Sequence, residues 1–409
     1  MKILHTSDWH LGRTFHTHST LAHLRVVLDA LVEVVTERGV DVVAVAGDVF
    51  DSAMPSKESY ALLTDTLRRL KEAGACVVMT SGNHDSATRL GFQSEWAALS
   101  GIHVVTRPEQ YLEPITLTDE HGPVHFYGIP YLEPALVRHL HPDVLLKTHE
   151  QVLNFAMTRV RDDLARRGGR SVVLSHCFAA GNASAAELSD VERDITAGGL
   201  DIVPIGIFDG CDYVALGHIH GRATLTDRVR YSGAPLHYSF SEAGKPRGVW
   251  LVELGEPGAK GGRVDGGRAV DSAVNGAASL GDVEWIDLPV PRRLTVLTGE
   301  LAGLLSDSAL AGNENDWVKV ILTDQVRPLD AMRSLKRRFG YAVALEHRPT
   351  IRVDPGEASY AERINAATSD PDVVAGFLTF VRNGVGPTAC ESALVSELLS
   401  EPTTTAANS

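Results

Sequence analysis

The chain has 409 residues, 44% of them apolar, and a formal net charge of −14. That length exceeds one compact core and predicts two or three domains. The acidity excludes a surface coated for nucleic-acid binding, although it leaves nucleic acid open as a substrate. No apolar run reaches the roughly 18 residues of a membrane span, and Asp8 and His10 interrupt the first apolar stretch. The expectation is therefore no membrane association and a cytoplasmic location. Cys76, Cys177, Cys211 and Cys390 are widely spaced without a C-x-x-C pair, and all four read as small buried hydrophobes rather than disulfides.

Residues 1–7 read as a strand that runs into Asp8-Trp9-His10. Leu21 to Glu37 carries apolar residues at helical spacing and ends near Gly39. Asp41 to Ala46 is a short β-branched run, so a buried strand, and it ends in Gly47-Asp48-Val49-Phe50-Asp51. A helix is predicted over Ser56 to Ala73. Cys76 to Thr80 is another buried strand, ending in Ser81-Gly82-Asn83-His84-Asp85. This alternation predicts α/β layers. Short strands follow from Ile102 to Tyr131, then a long amphipathic helix over Lys147 to Arg167. The strand Ser171 to Leu174 leads into Ser175-His176, and Phe178 to Leu200 reads as a long loop. Asp212 to Leu216 delivers Gly217-His218-Ile219-His220. Strands around Arg230–Ser232, Leu236–Phe240 and Val249–Leu254 close the first domain at residue 254.

Residues 255–281 form a Gly/Ala-rich loop or linker. Residues 282–352 read as a small α+β domain, with strands at Trp285–Val290, Thr295–Thr298, Val318–Thr323 and Ala342–Glu346 and a helix at Leu329–Phe339. Residues 353–399 read as helical, and 400–409 as a disordered tail. Leu394, Val395, Leu398 and Leu399 fall on one face of the last helix. That face needs either its own domain or a partner to cover it.

Open α/β sheets bind ligands beyond the carboxyl ends of their strands, and that is where the polar residues fall. Asp8, His10, Asp48, Asn83, His176, His218 and His220 are oxygen and imidazole donors suited to two divalent cations. The absence of thiolate favours Mn²⁺, with iron or Zn²⁺ as other candidates. Asp48, at the end of the middle strand of the first three, is the natural bridging carboxylate. Two cations a few ångströms apart lower the pKa of a shared water and clamp attacking and leaving oxygens, which suits in-line phosphoester hydrolysis. His84 sits beside Asn83 and has a type of side chain that protonates a leaving alkoxide near neutral pH, with Asp85 as its candidate orienter. A single histidine near a strand end is usually structural. Five loops that each supply ligand-type residues are not explained that way. His5, His16, His18, His23, His103, His121, His125, His139, His141, His149, His237 and His347 are read as bystanders, with His16 and His18 nearest the cleft. Arg13 and Arg89 are candidate phosphate contacts.

Taken together, Asp8-x-His10, Gly47-Asp48-x-x-Asp51, Gly82-Asn83-His84-Asp85, Ser175-His176 and Gly217-His218-x-His220 resemble the calcineurin-like metallophosphoesterase superfamily. Within it, HTSDWHLG, AGDVFD, SGNHD and YVALGHIH, with YSGAPLHYSFSE and GVWLVEL, resemble the SbcD subfamily of bacterial nuclease subunits up to about residue 254. The resemblance implies a four-layer α-β-β-α sandwich with a smaller α+β capping domain and C-terminal helices. It implies Asp8, His10, Asp48 and His220 on one cation, Asp48, Asn83, His176 and His218 on the other, and His84 as the catalytic histidine. It further implies Mn²⁺-dependent 3′→5′ exonuclease action on duplex DNA and endonuclease action on hairpins and single strands, with a metal-bridging water as nucleophile. The implied partners are DNA, a second copy of the chain, and an SbcC-type coiled-coil ATPase in a heterotetramer. Asp51 stands where archaeal and eukaryotic relatives carry histidine, and its role is open between capping a turn and positioning substrate. The other class of function compatible with the same donors is a phosphodiesterase or phosphatase for small molecules or phosphoproteins. A non-catalytic scaffold is disfavoured by the complete donor set.

Overall fold

The computed structural model describes residues 1–180, 202–257, 263–264, 268–269, 279–350, 367–382 and 384–400. Most of the loop expected at 178–200, most of the 255–281 linker, the start of the C-terminal helical segment and the tail lie outside the described residues. The chain divides into two compact units, Met1–Pro291 and Arg292–Ser409.

The first unit holds two six-stranded sheets. In the first, Lys2–Thr6, Val42–Ala46, Cys76–Thr80 and Ile102–Val105 run parallel. Gly248–Leu254 and Leu280–Asp287 close one edge antiparallel. In the second, Gly122–Ile129, Arg170–His176, Tyr213–Gly217 and Val229–Tyr231 run parallel. Short antiparallel strands, Ile115–Asp119 and Ala223–Thr224, form its two edges.

Strand periodicity of two explains the layering. Val42, Ala44 and Val78 of the first sheet face Val124, Phe126, Val172, Leu174 and Ala215 of the second in a shared core. Their neighbours Val43, Val45, Val77 and Met79 face outward, under the helices Leu21–Arg38 and Lys57–Glu72. Val173, Val214 and Leu216 do the same under the helix His149–Arg167. Strands buried on both faces read as continuous apolar runs, which is why the runs were visible in sequence. The result is the expected α/β fold in four layers, α-β-β-α.

The helices end where local chemistry ends them. The Ser56 side chain accepts from the Ser59 N–H at 3.2 Å, Thr148 does the same for Gln151, and Gly39 closes the first helix in the left-handed conformation.

Two expected strands differ. Leu236–Phe240 forms no strand; it packs as buried irregular chain into a 3₁₀ turn at Phe240–Glu242, with the Tyr238 N–H donated to the Glu242 carboxylate. The strand expected at Trp285–Val290 is Leu280–Asp287, and it belongs to the first unit. Leu280 and Val283 join the core between the sheets, Trp285 packs on Trp250, and Pro289 and Pro291 prevent continuation. Cys177 and Cys211 are buried, whereas Cys390 is exposed; all four cysteines are free.

The second unit carries a three-stranded parallel sheet, Leu294–Gly299, Trp317–Leu322 and Ala342–His347. Leu304, Leu335 and Phe339 of its helical segments pack on Val318, Val320 and Leu322. Two further helices, Asp370–Val381 and Ala389–Ser400, are joined by the Arg382–Glu391 ion pair.

Candidate metal centre

The parallel strands of both sheets end at one edge, and the loops there are zipped together. Asp8 N–H donates to the Gly47 carbonyl at 3.1 Å, and His10 N–H to the Asp48 carbonyl at 3.0 Å. Trp9, between them, is fully buried and donates its indole N–H to Thr6. Asp8, His10, Asp48 and His218 all adopt positive φ, at 53°, 45°, 48° and 104°. Non-glycine residues avoid that region, and four such residues at one site mark backbone strain held for function. Glycine admits the close packing. A Cβ on Gly217 would lie 1.8 Å from the Ala46 carbonyl oxygen, and one on Gly82 would lie 2.1 Å from Asp48 Oδ1.

Two clusters of donor atoms result. In the first, His10 Nε2 and His220 Nε2 face each other at 3.1 Å, and Asp8 offers an oxygen within the same small volume. In the second, Asn83 Oδ1 lies 3.1 Å from both His176 Nε2 and His218 Nδ1, which are themselves 3.3 Å apart. Asp48 Oδ2 stands between the clusters, 3.7 Å from His10 Nε2 and 3.3 Å from His176 Nε2. Ligand atoms about 2.1 Å from one cation, at right angles to each other, lie about 3 Å apart. The donor set therefore fits two divalent cations that share Asp48.

The histidines are held from behind. His176 Nδ1–H donates to the Ala46 carbonyl at 2.9 Å. His10 Nδ1 is 3.3 Å from Asp51 Oδ1, and His220 Nδ1 is 3.4 Å from Glu242 Oε1. The Ala46 carbonyl thereby sets the His176 ring with Nε2 facing inward. Asp51, left open by sequence, thus backs His10 and also accepts from Arg13 at 2.9 Å. Sequence reasoning missed Glu242 altogether; its signal was an isolated acid with Lys245 and Arg247 close behind it.

Burial and mutual charge set the protonation of the donors. Burial pushes Asp8 up to about 6, against the pull of His176 and His220. It holds His10 down at about 4 and His218 down at about 3. Burial would also lower His176, but the Asp48 charge beside it reverses the effect and raises it to about 9. For Asp48, burial acts upward and is outweighed by His176 and His10, so its carboxyl stays below the usual range. Cation binding takes neutral imidazoles and ionised carboxylates, so a cation arriving between Asp48 and His176 would displace the proton that the Asp48 charge now holds on His176.

Access is one-sided. Asp8, His10, Asp48, His176 and His220 are buried, His84 and His218 are half-buried, and Asn83 is exposed. His84 N–H donates to Asp48 Oδ1 at 2.9 Å, and its ring Nδ1–H donates to the Asp51 carbonyl at 2.9 Å. Nε2 is then the atom left to hold or give up a proton. Asp85 does not orient His84 as the sequence suggested. Its carboxylate instead accepts from Val49, Phe50 and Gly82 N–H groups at 2.8–3.0 Å and ties two site loops together. Arg13 is engaged by Asp51 and lies over the Tyr238 ring, and Arg89 donates to the Ala53 carbonyl. His16 and His18 sit exposed on a short hairpin.

A four-layer sandwich with oxygen and imidazole donors gathered at its strand ends defines a metal-dependent phosphoester hydrolase. The sequence matches the calcineurin-like phosphoesterase family over residues 1–222, and the chain belongs to that family. Similar solved structures include TT1561 of Thermus thermophilus, at 14% identity over 57% of this chain and 89% of that one, TM-score 0.35. A dimetal phosphatase from Danio rerio is 13% identical over 63% and 93%, TM-score 0.39. GAP50, the anchor in the inner membrane complex of Plasmodium, is 10% identical over 86% and 98%, TM-score 0.38. Among the described residues, no helix is long and apolar enough to cross a membrane.

Proposed function

We propose that the chain is an SbcD-type nuclease subunit that hydrolyses DNA phosphodiesters at a centre of two divalent cations, Mn²⁺ the preferred one. The observation that carries the hydrolytic part is Asp48 Oδ2 standing between the two donor clusters. Asp8, His10, Asp48 and His220 would hold one cation, and Asp48, Asn83, His176 and His218 the other. When bound, such a pair acidifies a water and screens the charge of the phosphoryl oxygens. The chain's own contribution is placement. Asp48 sets the spacing, the buried half anchors the centre, and the accessible half with His84 meets substrate. His84 Nε2 delivers the proton to the leaving oxygen.

The choice of DNA is supported by the SbcD-like blocks flanking the donors and by the additional second unit. The terminal helix leaves Leu394, Leu398 and Leu399 exposed, and an SbcC-type ATPase is the proposed partner for them. A homodimer within a heterotetramer in the cytoplasm completes the proposal. With an acidic chain, most DNA affinity would come from that partner. The test incubates the full chain and Mn²⁺ with labelled hairpin DNA and with bis-p-nitrophenyl phosphate, with and without the ATPase. Hairpin cleavage that His84→Ala abolishes supports the reading. Brisk turnover of the small ester with intact DNA in both settings would replace it with a small-molecule phosphodiesterase.

A further inference from the structure

Behind the first donor cluster lies a charge pair that the proposed chemistry does not use. Glu242 is 0% exposed and Arg247 2%, and the Arg247 guanidinium donates to Glu242 Oε2. Withdrawing such ions from water is costly, so the pair needs close partners. It has them. Glu242 Oε2 also accepts the Tyr238 N–H at 3.0 Å, Oε1 lies 3.4 Å from His220 Nδ1, and Arg247 donates to the carbonyl of His220 itself. The pair therefore grips His220 at ring and backbone together. A carboxylate only accepts, so the proton between them belongs on His220 Nδ1, and the Nε2 lone pair is turned toward His10. Tyr238 seals the arrangement. Its O–H donates to the Trp9 carbonyl at 2.9 Å, and its ring sits 5.5 Å from His10 and 5.7 Å from His220.

We propose that Glu242, clamped by Arg247, is a positioning residue that fixes the tautomer and rotamer of His220 and so sets cation affinity in the half of the centre containing Asp8 and His10. The proposal rests on the two-cation reading. The other half does not share the device, because His176 is held by the Ala46 carbonyl, a main-chain group of the first sheet. The influence of Glu242 is thereby confined to one cation.

The test strips the full chain with a chelator and titrates it with Mn²⁺ by calorimetry, following bound ion by electron paramagnetic resonance. Wild type is expected to take two ions. Glu242→Gln should weaken one site about 10- to 100-fold and leave the other unchanged, with an unaltered circular-dichroism spectrum. Because a lone buried Arg247 could unfold that variant, Glu242→Gln/Arg247→Met is measured beside it. It removes both charges and should show the same one-site loss. Two sites of wild-type affinity in the folded variants would overturn the proposal and leave the two-cation reading intact. Equal weakening of both sites would also overturn it, by showing a purely structural role. A wild-type chain that binds no Mn²⁺ would overturn both.

Discussion

At the level of single residues, the proposed division between cation binding and proton transfer falls at His84, whose ring also lies within ligand distance of His10 and Asp48. Its Nδ1–H is committed to the Asp51 carbonyl and its main-chain N–H to Asp48, which leaves Nε2 for proton transfer. His84→Ala should lower kcat about 10²- to 10⁴-fold while the chain still binds two cations. Steady-state rates together with metal analysis check this, and loss of one bound ion would make His84 a ligand instead. The donors themselves were legible in sequence, because each lies immediately after an apolar strand. Their supports were less so. Asp51 lies in the same block as Asp48, yet only the fold shows it 3.3 Å from His10 Nδ1. Glu242 reaches back to His220 from 22 residues further along the chain, and no period announces such a contact.

At the scale of elements, the site exists because two sheets bring their strand ends almost into contact. Gly217 marks one such approach, with the Ala46 carbonyl 1.8 Å from where a Cβ would lie. Main chain cannot yield there as a flexible side chain would. Gly217→Ala should destabilise the fold by about 3 kcal/mol or more and displace His218. Chemical denaturation checks it, and a midpoint within error of wild type would contradict the close approach. Strands buried on both faces were found from sequence because their apolar runs are unbroken. The order of strands and the antiparallel edge Leu280–Asp287 were not, since pairing with Gly248–Leu254 depends on contacts made by Trp250 and Trp285 rather than on local pattern. Leu236–Phe240 looked like a strand for the opposite reason. Its alternation arises from Leu236 and Tyr238 packing inward without a ladder.

At the scale of the whole molecule, His5 joins the two sheets. Its Nδ1 accepts from the Tyr213 hydroxyl at 2.9 Å, and its Nε2–H donates to the Leu216 carbonyl at 3.1 Å. Burial lowers its pKa to about 3. Between that value and the ordinary 6.5, the unfolded chain binds a proton that the folded chain refuses. Stability contributed here is therefore intact above about pH 6.5 and falls as pH drops toward about 3, by about 1.4 kcal/mol per unit. His5→Gln can keep both bonds without titrating. Its melting temperature should depend less steeply on pH across that window, and an unchanged slope would show that His5 does not govern the acid limb.

A two-cation centre bridged by Asp48 would couple the spins of two bound manganese ions, which makes the spectrum of bound manganese decisive. The wild-type chain loaded with Mn²⁺ should hold two ions that give an exchange-coupled dimanganese signal, and Asp48→Asn should lose that coupling while the fold survives. A wild-type chain that holds a single ion, or two uncoupled ions, would rule out an Asp48 bridge.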